Sequence, residues 1–166
     1  MKKCHVPYFA TQKLTRQDPE AETFPYNLFW WEGNDGSRVL SHLFKKNNAV
    51  FNSGDLITRW EEDRVQQEEI DGYMYPFGYG DGGGGPTREM IEVANRCEDL
   101  EGAPRCHMEA PVKFFERAKK NEIHNTYKGE LYLAWHRGTL TSQARTKRGI
   151  RKAEVMLKLV EYHMAC

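Results

Sequence analysis

The apolar residues of this chain fall either in short runs or at helical spacing, and the two patterns predict strands and helices respectively. Short apolar runs at residues 6–10, 28–32 and 38–42 predict three strands. The second and third flank Asn34, Asp35 and Gly36, residues that tolerate the positive φ of a tight turn, so they predict a hairpin. The polar residues 15–23 predict a loop.

Helical spacing recurs further along the chain. A helix capped by Ser53 is predicted to end near Glu69, and a second helix covers residues 90–97. A third helix is expected to begin at Pro111, whose fixed φ suits a first helical position. A last helix, with apolar residues every three or four positions, begins near residue 141.

Two further strands are predicted, at the aromatic residues 72–77 and at residues 131–136 after Gly129. Strands and helices therefore alternate, which is typical of an α/β domain. We predict that the last helix begins a separate helical layer. Because the last helix keeps its apolar stripe up to its end, we expect an interior piece of a longer protein.

Composition narrows the classes of partner. The 24 basic residues balance the 24 acidic ones, so no global field attracts nucleic acid or an anionic membrane. The longest apolar stretches fall far short of the roughly 20 residues that a bilayer span needs. The first residues carry no apolar signal segment, and we expect a cytoplasmic chain. The four cysteines lack the spacing of a zinc or redox motif, and reduced thiols are expected.

A glycine-rich run at residues 78–87 is the most conspicuous candidate site, because it presents Asp81 with little side-chain shielding. The run is not a P-loop, since Pro86, Thr87 and Arg88 stand where a lysine and a hydroxyl residue are required. Retaining glycoside hydrolysis needs two carboxyl groups, and Asp81 could supply one. A flexible connection with a solvated aspartate is the structural alternative.

Other polar residues give weaker signals. Asp35 is explained by the hairpin turn. His107 and Glu109 are only two ligands, whereas zinc requires three or four, so no metal site is predicted in this chain. His136 and Arg137 follow a predicted strand and could hydrogen-bond a polyol, although a solvated strand end fits equally well. The basic residues near the start of the last helix favour a solvated helix face over a nucleic-acid site.

Three blocks of sequence resemble glycoside hydrolase family 38, and they come in the family's order. They are FWWEGNDGSRVL at 29–40, GYGDGGGGPT at 78–87 and GELYLAWHRGTLTSQ at 129–143. The shorter matches TQKL at 11–14 and RWE at 59–61 extend the similarity over nearly the whole chain.

The resemblance implies an α-mannosidase whose seven-stranded, barrel-like α/β domain precedes a three-helix bundle. Residues 1–138 would form the C-terminal half of that α/β domain, with a partial, mostly parallel sheet and flanking helices. Residues 139–166 would form the first bundle helix. In the family, one zinc ion is held by a His-x-Asp pair, by the nucleophilic aspartate and by a later histidine. All of these would lie outside this chain, so zinc is expected only in the intact enzyme.

The resemblance also assigns roles to individual residues. Asp81 matches the acid/base aspartate, Lys13 matches a basic residue beside the nucleophile, and His136 and Arg137 match positions that line the sugar pocket. An active-site tyrosine of the family is missing, because Ala49 or Phe51 occupies its neighbourhood.

The expected function is therefore retaining hydrolysis of terminal α-D-mannosides by an intact zinc-dependent enzyme, with α-mannoside glycans as partners and a homo-oligomer possible. The isolated chain is expected to be inactive. Two alternatives stay open: a non-catalytic carbohydrate-binding module, and a nucleotide- or nucleic-acid-binding protein based on the glycine run and the basic helix.

Overall fold

The computed structural model describes residues 1–15, 24–45, 51–80, 83–132, 138–139 and 141–165. The chain divides into two compact units, Met1–Tyr132 and Leu133–Cys166. The described part of the first unit contains β1 (Tyr8–Thr11), β2 (Leu28–Glu32), β3 (Arg38–Leu43), α1 (Ser53–Thr58), α2 (Arg88–Arg96), α3 (Pro111–Ala118) and β4 (Thr126–Lys128). The second unit contains α4 (Ala144–Ala165).

The four strands form one mixed sheet in the order β1-β3-β2-β4. Strands β2 and β3 pair antiparallel, with Leu28 opposite His42 and Glu32 opposite Arg38, which confirms the predicted hairpin. Strand β1 pairs in parallel with β3, and β4 pairs in parallel with β2. The fold is therefore α/β, with a mixed sheet. The seven-stranded barrel, the bundle and the boundary at residue 138 stay predictions.

Asp35 organises the hairpin turn. Its Oδ1 accepts hydrogen bonds from the hydroxyl and the backbone N–H of Ser37 at 2.6 and 3.1 Å, and Gly36 has a φ of 75°. The Lys3 ammonium lies 3.1 Å from the other carboxylate oxygen. The Ser37 hydroxyl is the main reason that the pKa of the Asp35 carboxyl lies well below its ordinary value. This geometry agrees with the structural role expected for Asp35.

Helix α3 packs against the sheet, and the side chains between them form the first core cluster. Pro111 is at its N-terminus, as predicted, and the helix buries Phe114 and Phe115. The ring of Phe115 stacks on Tyr8 of β1 with the centroids 4.7 Å apart. The buried members of this cluster are Leu28, Leu40, Ile70, Phe114, Phe115 and Ala118.

His42 is a polar residue inside this core. It lies on β3, is fully buried, and its ring lies 4.8 Å from the ring of Phe114 and 5.2 Å from that of Tyr73. Neither ring nitrogen finds a hydrogen-bond partner within the described part of the chain. Burial without a partner disfavours the charged form, and it lowers the pKa of His42 to about 3.

A second core cluster joins α1 and α2. Its buried members are Phe51, Leu56, Met90, Ala94 and Cys97. The aromatic residues 73–77 link the two clusters, because Tyr73 packs on His42 whereas Tyr75 and Phe77 pack on Phe51. Segment 72–77 forms no strand, so that prediction is wrong. Its rings are divided between two clusters, and its backbone joins no sheet ladder.

The first helix also differs from its prediction. Asn52, not Ser53, is the cap, since its side chain accepts a bond from the Asp55 N–H. The helix ends at Thr58 and continues as a π-helical turn, Arg59–Asp63, so it does not reach Glu69.

The early end of this helix follows from contacts with the start of β2. The Val65 N–H donates to Asn27 Oδ1 at 2.6 Å, and Gln66 Oε1 accepts from the N–H groups of Asn27 and Leu28 at 2.7 and 2.8 Å. Buried backbone groups require such partners, and supplying them takes residues 65 and 66 out of a helical path.

The third difference concerns the end of the first unit. Strand β4 (Thr126–Lys128) was not predicted, and it places Thr126 opposite Trp30. Residues 131 and 132 belong to no strand, and residues 133–137 of the predicted strand lie outside the described residues. The Trp31 indole N–H donates to the Gly129 carbonyl at 2.9 Å, so the chain after β4 is fixed to β2.

In the second unit, α4 confirms the predicted last helix. Its large apolar side chains are exposed: Ile150, Val155, Met156, Leu157, Leu159, Val160, Tyr162 and Met164. Among the described residues, no helix is both long and apolar enough to cross a bilayer.

Candidate active-site region

The glycine-rich run folds back on itself as a tight loop. Tyr79 and Gly85 form an antiparallel bridge in which each N–H donates to the carbonyl of the other residue, at 2.8 and 2.7 Å. Residues 81 and 82 stand between these two in the sequence and lie outside the described residues. The position of the Asp81 carboxyl group is therefore not described, and its catalytic role stays a prediction.

Several glycines of the loop are required by its backbone. Gly78 has a φ of 108°, and a Cβ there would lie 2.7 Å from the Pro86 nitrogen. A Cβ on Gly84 would lie 2.9 Å from that of Tyr79, and Gly83 and Gly85 have φ values of 79° and 70°. Side chains rarely tolerate such conformations or such close contacts. The loop is thus a defined turn at its base.

We expect Gly78→Ala to destabilise the first unit by about 2 kcal/mol or more, because it adds both a backbone clash and a strained φ. The matched control is Gly72→Ala, whose Cβ would meet Phe114 at an ordinary 3.6 Å. Urea unfolding of both variants measures the difference. Equal midpoints would contradict this account of the loop.

Helix α2 begins directly after the loop. Thr87 caps it, since its hydroxyl oxygen accepts a bond from the Met90 N–H at 3.2 Å. Met90 and Ala94 are buried in the second core cluster, so the helix holds one end of the glycine loop against the core. The predicted order of glycine loop and helix is confirmed.

A cleft of about 900 Å³ lies beside the segment that leads into this loop. Residues 72–77 line it together with the turn after α1 and residues 104–109. Two of its acidic side chains bond to other lining residues: Asn121 donates to Asp71 at 2.9 Å, and Glu69 accepts from Asn125 and Gln66. These carboxylates therefore hold the walls of the cleft together.

His107 and Glu109 also line the cleft, and they are close together as their spacing suggested. His107 Nε2 lies 3.2 Å from Glu109 Oε2, and the same oxygen accepts a bond from Arg117 of α3. The Arg117 bond is the main cause that lowers the pKa of the Glu109 carboxyl. The pair thus connects residues 107–109 to α3. Within the described ranges, no group of three histidine, cysteine or acidic side chains could hold a metal ion.

Lys13 lies just after β1, in the 3₁₀ turn Lys13–Thr15, where its backbone N–H donates to the Thr11 hydroxyl at 3.2 Å. Strands β1 and β3 run parallel, so Lys13 is at the edge where both strands end. Open α/β sheets bind ligands at such an edge. His136 and Arg137 lie outside the described residues. Phe51 is a buried core residue, and Ala49 is outside the described residues.

The family model of the glycosyl hydrolases family 38 N-terminal domain matches residues 1–137. The chain belongs to glycoside hydrolase family 38. The match covers the sheet, the cleft and the glycine loop, so these features are parts of a family 38 domain.

Relatives with established names agree with this membership. The chain is 38% identical over 159 residues to alpha-mannosidase G of Dictyostelium discoideum, which covers 94% of this chain and 14% of that protein. It is 35% identical over 161 residues to human alpha-mannosidase 2C1, covering 95% of this chain and 15% of the relative. Alpha-mannosidase of Saccharomyces cerevisiae is 35% identical over 169 residues, with 95% and 15% covered. The chain thus spans about a seventh of the length of these family 38 relatives.

Proposed function

We propose that this chain is the C-terminal half of the catalytic α/β domain of a retaining α-mannosidase, together with the first helix of the domain that follows. The observation that carries the proposal is the family match over residues 1–137 combined with named α-mannosidases at about 35% identity. The substrates would be glycans with terminal α-D-mannosides. The chain alone would be inactive, because the nucleophile must come from another part of the polypeptide.

In this proposal Asp81 is the acid/base residue. Retaining hydrolysis uses one carboxyl group as nucleophile and a second one that first donates and then removes a proton. The bridge between Tyr79 and Gly85 supports the assignment, since it holds the two ends of the segment that contains Asp81. Lys13, His136 and Arg137 would contact sugar hydroxyls, which accept hydrogen bonds from cationic side chains.

Zinc would belong to the intact enzyme, as the family resemblance implies. The described residues of this chain do not fit a zinc site, because no group of three possible ligands occurs among them. The proposal therefore assigns no residue of this chain to zinc.

The stereochemistry of the product tests the proposal. A polypeptide that contains this segment and the missing half of the domain should hydrolyse an aryl α-mannoside and release α-mannose first, which proton NMR detects before the anomers equilibrate. The 166-residue chain, assayed beside it, should give no product above buffer. Release of β-mannose first would contradict the retaining mechanism, and turnover by the short chain would contradict the missing nucleophile.

A further inference from the structure

Two of the four cysteines, which are nine residues apart in the sequence, are neighbours in the structure. Cys97 follows the last residue of α2 and is 4% exposed, whereas Cys106 is only partly buried and lines the cleft. The Cys106 thiol donates to the Cys97 carbonyl oxygen at 3.2 Å. Both side chains pack in the second core cluster.

The chain between the two cysteines is already closed into a loop. The Cys106 N–H donates to the Glu98 carbonyl at 3.2 Å, and the Ala103 N–H donates to the Leu100 carbonyl at 3.1 Å. Gly102 supports that turn with a φ of 79°. Most of the entropy cost of bringing the two thiols together is therefore met by the fold itself. A disulfide requires the two residues to lie side by side, and the Cys106 thiol already contacts the backbone of Cys97, 3.2 Å from its carbonyl oxygen.

We propose that Cys97 and Cys106 form a reversible intramolecular disulfide by exchange with a small disulfide such as oxidised glutathione. The bond would fix the cleft wall at residues 103–109 to the end of α2. This site is independent of the mannosidase proposal, because it uses none of the residues assigned to substrate.

The exchange takes two steps. The more exposed thiol, Cys106, loses its proton and attacks one sulfur of oxidised glutathione, so that a mixed disulfide forms and one glutathione thiolate leaves and takes up a proton. Deprotonated Cys97 then attacks the Cys106 sulfur and releases the second glutathione, which is protonated in turn. Two protein thiols are oxidised and one small disulfide is reduced to two thiols.

Burial of the Cys106 thiol slows the first step. It raises the pKa of the Cys106 thiol, so little thiolate is present at neutral pH. The reaction should therefore be slow near pH 7 and faster at pH 8.5.

Peptide mapping tests the proposal on the 166-residue chain. After incubation with oxidised glutathione at pH 8.5, alkylation and trypsin digestion, the peptides 97–105 and 106–113 should be linked in most of the molecules, because trypsin cleaves after Arg96, Arg105 and Lys113. Exposed Cys4 is an internal control that should carry glutathione instead. In the Cys97→Ala variant, Cys106 should accumulate as the glutathione adduct.

The stability of the oxidised chain gives a second readout. The thermal midpoint should rise by several degrees on oxidation and return after dithiothreitol, since a crosslink restricts the unfolded chain. A glutathione adduct on Cys106 beside free Cys97 in the unaltered chain would overturn the proposal. Crosslinks mainly to Cys4 or Cys166, or an oxidised chain with a lower midpoint, would also overturn it.

Discussion

Asp81→Asn should lower kcat for an unactivated α-mannoside by a factor of about 10² to 10⁴ in an active polypeptide that contains this segment. A general acid contributes roughly this much, because it protonates the leaving oxygen as the glycosidic bond breaks. Asparagine has a similar shape but cannot donate that proton. Substrate binding, measured as KM, should change far less.

The choice of substrate separates an acid from a merely structural aspartate. A 2,4-dinitrophenyl leaving group departs without protonation, so its release in the first step should be nearly unaffected by Asp81→Asn. The matched control is Asp99→Asn, since Asp99 is 73% exposed and pairs with Arg105 on the surface. That variant should keep full turnover with both substrates. An equal loss of turnover with both substrates in Asp81→Asn, or no loss at all, would show that Asp81 is not the general acid.

The folded chain should lose stability in mild acid because of His42. His42 has a pKa of about 3 in the fold and an ordinary value of 6.5 when unfolded. The unfolded chain therefore binds more protons between these values, so stability is full above about pH 6.5 and falls as the pH decreases toward 3. The loss should reach about 2 kcal/mol at pH 5 and about 4 kcal/mol at pH 3, from the factor of 1.36 kcal/mol per pKa unit.

Two variants identify His42 as the source of this loss. His42→Leu has a similar volume and cannot be protonated, so its urea midpoint should stay nearly constant between pH 6.5 and 5. It should also be at least as stable at pH 7, because it removes from the core two ring nitrogens that have no hydrogen-bond partner among the described residues. His124→Leu is the control, since that side chain is 70% exposed, and it should follow the unaltered chain. If His42→Leu kept the full acid sensitivity, His42 would not be its cause.

Some elements could be predicted from residues that are close together in the sequence. The hairpin was predicted because Asn34, Asp35 and Gly36 form a turn from their own side chains and backbone, and β2 and β3 are found there. Helix α3 was predicted because Pro111 suits a first helical position and two phenylalanines follow on one side. Both features are set by residues within a few positions of each other.

Elements that depend on distant partners were not predictable in the same way. The first helix ends early because Asn27 and Gln66, 39 residues apart, bond to each other. Strand β4 has only three residues and exists through its pairing with β2. The contact of the Cys106 thiol with the Cys97 carbonyl depends on the packing of the second core cluster, and the sequence spacing of the two cysteines does not indicate it. For the candidate site, the glycine positions could be explained from the loop's backbone, whereas the roles of Asp81, Lys13, His136 and Arg137 stay predictions from the family resemblance.

The pairing of β2 with β4 has a consequence for how the first unit forms during synthesis. Trp31 bonds to Gly129 across 98 positions, so the outer edge of β2 has no partner until nearly the whole unit has left the ribosome. Contacts of such high sequence separation slow folding, because the chain loses entropy before they stabilise it. An aromatic strand edge that waits for its partner is prone to pair with other chains. We therefore expect production at low temperature with a chaperone to raise the soluble yield of the first unit.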